Sequence, residues 1–79
     1  MEARFSAHAR QRMEERLIDE AEVVEILAGP ADTTVTEDRP DRRSIIGTTS
    51  AGRVLRVVVA EPEPLVVITV MELRAVPRR

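Results

Sequence analysis

Apolar residues recur along this chain in two rhythms, and the change between them falls near Ala31. In the first part, Ala9, Met13 and Leu17 return every four residues, the spacing of a helical seam. Ser6 stands just before them as an N-cap, so the pattern predicts a helix over Ala7–Arg16 with a break at Leu17 and Ile18. Phe5, immediately before the cap, can fold back onto the same core. A second helix is expected from Glu20 to Ala28. Asp19 is its N-cap, Glu22 at N3 completes a capping box, and Ile18 and Val23 bracket the cap as a hydrophobic staple. Glu20 and Glu22 suit the positive helix start, and Gly29-Pro30 ends the helix.

After Ala31 the texture becomes that of strands. Thr33–Glu37, Arg43–Thr49, Arg53–Ala60 and Leu65–Glu72 are rich in Val, Ile and Thr. They are separated by the turn-forming clusters Asp38–Asp41, Ser50–Gly52 and Glu61–Pro64. The last two strands are the most apolar and are expected at the sheet interior. In the third, Leu55, Val57 and Val59 share one face and Val54, Arg56 and Val58 the other, which places Arg53 and Arg56 on opposite sides. The predicted architecture is a single α+β domain. Its two N-terminal helices pack on one face of a four-stranded, mainly antiparallel sheet.

Composition narrows the function classes. The chain has 79 residues, 43% hydrophobic, and its only aromatic is Phe5, so the core must come from aliphatic side chains. A core this small gains from dimerisation or a partner protein. No apolar run approaches the roughly 20 residues of a membrane span, and no signal-peptide pattern opens the chain. The absence of cysteine excludes disulfides and thiolate metal sites and suits a cytoplasmic protein. All 12 basic residues are arginine, yet the net charge is −2. A pI near 5.4 argues against a protein that coats nucleic acid, while leaving room for a local basic cleft. The short tail Arg74–Arg79 is basic and expected to be mobile.

The candidate chemistry centres on His8, Arg12 and Arg16. At i, i+4 and i+8 they form a ridge along the first helix beside its apolar seam. At the edge of a buried face, an imidazole can exchange protons and guanidinium groups can hold a phosphate. Arg12 can instead pair with Glu15 and Arg16 with Glu20 on the helix surface, as Arg10 can with Glu14. On the strands, Arg42, Arg43, Arg53 and Arg56 offer a second basic wall, or edge-protecting residues. Thr69 interrupts an apolar run and needs a partner for its hydroxyl, and Glu72 is the first carboxylate after it. With one histidine, a multi-histidine metal site is excluded, and no metal or cofactor is expected. Ser50 and Thr49 lack a base, and Gly47 and Gly52 form no phosphate loop.

The segment Phe5-Ser6-Ala7-His8-Ala9-Arg10-Gln11-Arg12-Met13-Glu14-Glu15-Arg16-Leu17-Ile18 resembles the opening F-S-x-H-A-x-x-R-M-x-x-R-x-I of a family of small prokaryotic domains of unknown function. Gly29-Pro30, Arg53–Val57 and Val67-Ile68-Thr69-Val70 extend the likeness to about Glu72. Leu17 stands where that family commonly carries glycine, which argues against a left-handed turn there. The family is similar to the RelE/ParE/BrnT-type toxins, many of which cleave RNA. The resemblance implies a RelE-like fold and metal-independent RNA cleavage, with a 2′-hydroxyl attacking the adjacent phosphate. His8 or Glu72 would handle a proton, Arg12, Arg16 and Arg56 would stabilise the phosphorane, and Arg43, Arg53 and Thr69 would bind substrate. The implied partners are RNA or the ribosome, and a cognate antitoxin. A second reading is a non-catalytic protein-binding module or degenerate toxin, whose ridge meets acidic residues of a partner. A third, a simple nucleic-acid binder, lacks the aromatic stacking residues that role uses.

Overall fold

A computed structural model of the chain describes residues 3–29, 33–60 and 65–73. The element order is β1 (Ala3–Phe5), α1 (Ala7–Arg16), α2 (Glu20–Leu27), β2 (Thr34–Arg39), β3 (Arg42–Thr48), β4 (Val54–Ala60) and β5 (Leu65–Leu73). The Glu61–Pro64 connector and the Arg74–Arg79 tail lie outside the described residues. No described helix is long and apolar enough to cross a membrane.

Both helices form where local signals place them. Ser6 caps α1 by accepting from the Ala9 amide at 3.0 Å. At α2 the Glu22 carboxylate accepts from the Asp19 amide at 3.2 Å, the return half of the capping box. The staple residues Ile18 and Val23 are both buried.

The sheet differs from the expectation in one respect that matters. It has five strands and is mixed, in the order β1-β5-β4-β3-β2. The four expected strands pair antiparallel as consecutive neighbours. The fifth, β1, lies parallel to β5, with Phe5 opposite Val67. Three residues are too few to show an alternating pattern, and this strand exists only because β5 offers it an edge. The most apolar strands, β4 and β5, are interior as expected.

One face of the sheet carries the core. Leu55, Val57, Val59, Val67 and Val70 are buried against Ala9, Met13, Ile18, Val23, Ile26 and Leu27, with Phe5 and Ile45 packed at the margin. The other face bears Ser44, Ile46, Val54, Arg56, Val58 and Met71, as the strand registers require, and no described helix covers it.

The expected seam Ala9–Met13–Leu17 stops one step early. Ala9 and Met13 are buried, but Leu17 is 82% exposed and adopts φ 56°, ψ 46°, the left-handed region. The Ile18 amide bonds the Met13 carbonyl at 2.8 Å and the Leu17 amide bonds that of Glu14 at 3.3 Å. That is a Schellman motif, and the contact it demands is made by Ile18 with Met13, both in the core. The left-handed turn therefore forms without glycine. Satisfying two helix-end carbonyls and burying Ile18 outweighs the roughly 1–2 kcal/mol that a side chain costs there.

Candidate functional site

Ser6 sets the position of α1 relative to the sheet. Its amide bonds the Val67 carbonyl at 3.0 Å, and its hydroxyl donates to the Ile68 carbonyl at 2.9 Å while capping the helix. The β4–β5 register shifts here, from Val58 opposite Thr69 to Val59 opposite Val67. Ile68 is thus an extra residue, a bulge whose carbonyl is available to Ser6. From this anchor α1 runs alongside the rest of β5. Between them lies a groove of about 200 Å³, with Arg12 and Arg16 on the helix wall and Thr69–Leu73 on the strand wall.

The far end of α1 is closed by Arg53, which lies just before β4. Its Nη1 donates to the Leu17 carbonyl at 2.7 Å and to Glu22 Oε1 at 3.1 Å. Its Nη2 donates to the Arg16 carbonyl at 2.8 Å and to Glu72 Oε1 at 2.9 Å, and Nε reaches Glu72 Oε2 at 3.3 Å. These contacts use all five donor hydrogens of a guanidinium. Arg53 ties the end of α1, the start of α2 and the end of β5 to one planar group. The forked hydrogen bond from Arg53 holds the Glu72 carboxyl below the usual glutamate range, and the charges of Arg53 and Arg16 add to this. The same hydrogen bond raises Arg53, with Glu22 and Asp19 contributing.

The other sequence-derived candidates are spread over the molecule. His8 is exposed in the first turn of α1, and eight residues separate it from Arg16, roughly 12 Å along a helix axis. Arg12 is half-exposed and lies 3.9 Å from Glu15. Thr69 is half-buried in the groove wall, with no hydrogen bond from its hydroxyl to His8 or an arginine. Arg56 lies on the sheet face away from the helices and donates to Ser44 Oγ at 3.1 Å. Arg43 is level with Val59, four residues along the sheet from Leu55 and Glu72, about 13 Å at strand spacing. Arg12, Arg16, Thr69 and Glu72 share the groove; His8 is not among its lining residues, and neither are Arg43, Arg53 and Arg56. Ser50, without a base, serves α2 instead: its amide and hydroxyl donate to Glu25 at 2.6 and 3.2 Å.

Three contributors were not legible as such in the sequence. Ser6 reads as a cap, but its second bond to Ile68 depends on a bulge 62 residues away. Glu22 reads as a capping-box residue, and Leu17 as part of a seam. In the fold both also receive Arg53.

Chemically, the groove offers two cations beside strand backbone, and its carboxylate is already engaged. A base held ionised by a forked arginine is a weak proton acceptor. No cluster of three potential metal ligands occurs among the described residues. Among curated proteins and among solved structures, no significant match to the chain was found. A family model for a domain of unknown function, DUF4258, matches residues 5–72, which contain both helices, β2, β3 and β4, the groove except Leu73, and the Arg53 clamp. The chain therefore belongs to the DUF4258 family of domains of unknown function.

Proposed function

We propose that this domain is a non-catalytic module that pairs with a partner protein, using the Arg12–Arg16 flank of α1 to meet acidic residues. The observation that carries this reading is the dispersal of the would-be catalytic groups. His8 is exposed at one end of α1, Glu72 is engaged by Arg53 at the other, and Arg56 lies on the opposite face of the sheet. General acid–base and phosphoryl chemistry needs such groups within hydrogen-bond reach of a single reacting centre. A partner interface has no such requirement and is served by exposed arginines. The similarity of the family that the opening motif resembles to the RelE/ParE/BrnT-type toxins is compatible with this reading. In that light the domain is a degenerate relative that keeps partner pairing without an assembled RNA-cleaving site.

The test is direct. Purified protein is incubated with total RNA, with and without ribosomes, and the gene is induced in growing cells, alongside His8→Ala and Arg12→Ala. The expected result is no cleavage above buffer and no growth arrest in any of the three. Cleavage by the wild type that disappears in His8→Ala would sink the module and restore the metal-independent nuclease.

A further inference from the structure

β5 is nine residues long, but β1 pairs only with Leu65–Val67. Ser6 then takes the Val67 and Ile68 carbonyls, and the chain leaves the sheet to begin α1. Among the described residues no strand pairs with Thr69–Leu73 on that side, so half of an interior strand is an open edge. An open edge presents backbone donors and acceptors that another extended chain can use. Here α1 runs beside it and turns it into a groove, with Arg12 and Arg16 along the rim.

Resting on the partner-binding reading, we propose that an extended acidic segment of a partner protein adds to the sheet along Thr69–Leu73, placing carboxylates two residues apart on Arg12 and Arg16. Residues i and i+4 of a helix are about 6 Å apart along its axis, and residues i and i+2 of a strand about 6.7 Å apart on one face. Alternate side chains of an added strand therefore keep step with the two arginines. Both guanidinium groups have capacity to spare. Arg12 has only a 3.9 Å approach to Glu15, and Arg16 makes no side-chain hydrogen bond among the described residues. Glu72, the carboxylate in the groove, is held by Arg53. A second copy of this chain is the poorer occupant. Pairing two β5 edges would bring four arginines to one seam, against two glutamates each already bound to its own Arg53.

The probe is a blocked seven-residue peptide alternating threonine and glutamate, titrated into the 79-residue protein and followed by amide NMR and hydrogen exchange. Saturable binding is expected, with exchange slowed at Thr69–Leu73. Arg12→Glu and Arg16→Glu should each weaken it about tenfold or more, the scale of one lost charge-assisted contact. Circular dichroism checks that both variants are folded. N-methylation of the peptide at alternate residues should abolish binding in one parity and spare it in the other, because an added strand bonds the edge through every second residue. Binding without this parity, or protection mapped to the outer surface of α1 or the sheet face away from the helices, would overturn strand addition while leaving the partner-binding module intact. No binding, or equal binding of a threonine–lysine peptide, would overturn strand addition too. So would slowed exchange at Thr69–Leu73 in a dimer without peptide. The module reading itself falls only to RNA cleavage.

Discussion

Replacing Arg53 by alanine removes five hydrogen bonds at once, and their surroundings allow the loss to be estimated. The Glu72 carboxylate is 38% exposed, so water screens that pair and it is left out of the sum. Glu22 is only 15% exposed and Arg53 itself 24%, which makes that contact stronger, about 1 kcal/mol. The carbonyls of Arg16 and Leu17 lie at an exposed helix end and become hydrated when the guanidinium leaves, so each bond is counted at about 0.5–1 kcal/mol. The sum is about 2–3 kcal/mol, a large share of the net stability of so small a domain. Urea denaturation followed by circular dichroism should show it, and the thermal midpoint should fall by roughly 15 °C. Arg53→Lys keeps the charge but presents a compact ammonium where four acceptor groups surround a planar fork, so it should recover less than half of the loss. A loss below about 1 kcal/mol in Arg53→Ala, or full recovery by lysine, would refute the reasoning that this arginine works as a geometric clamp.

Three further expectations follow from single sites. Leu17→Gly should raise stability by about 0.5–1 kcal/mol. It relieves a left-handed side chain that is largely exposed, less the extra entropy of glycine in the unfolded chain; thermal melting checks it. Ser6→Ala should cost about 1–2 kcal/mol, since one hydroxyl both caps α1 and bonds the Ile68 bulge, and amide exchange should quicken at Ala9 and along β1. Because the folded Glu72 carboxyl sits below its ordinary value near 4.5, its contribution is present above that value and is lost as pH falls through the folded one. Glu72→Gln should therefore narrow its stability gap to wild type below pH 4, a comparison that urea midpoints at pH 3.5 and 7 decide.

Local sequence carried a large part of this fold. The caps at Ser6 and Asp19, the staple of Ile18 and Val23, and the alternation of Leu55, Val57 and Val59 each act within a few residues. Each is realised in the structure, so both helices and four of the strands could be placed from the chain alone. Strand parity also put Arg53 and Arg56 on opposite sides. The candidate ridge was legible too, because helical spacing fixes which residues share a flank.

Everything that depends on contacts far apart in the chain was decided by tertiary structure. β1 is only three residues long and exists because the edge of β5 lies beside it. Leu17 turns left-handed because Ile18 must reach the core and Arg53 occupies the Leu17 carbonyl from 36 residues away. Arg53 reads as a cation available to a substrate, yet all five of its donors face the protein, since the helix end and two carboxylates converge where β4 begins. His8, Arg12 and Arg16 share a helix flank by periodicity. Only the docking of α1 against the bulged β5 decides that the two arginines border an open strand edge while the histidine stands apart. Short-range geometry determines which side chains can be neighbours, and long-range packing determines what they meet.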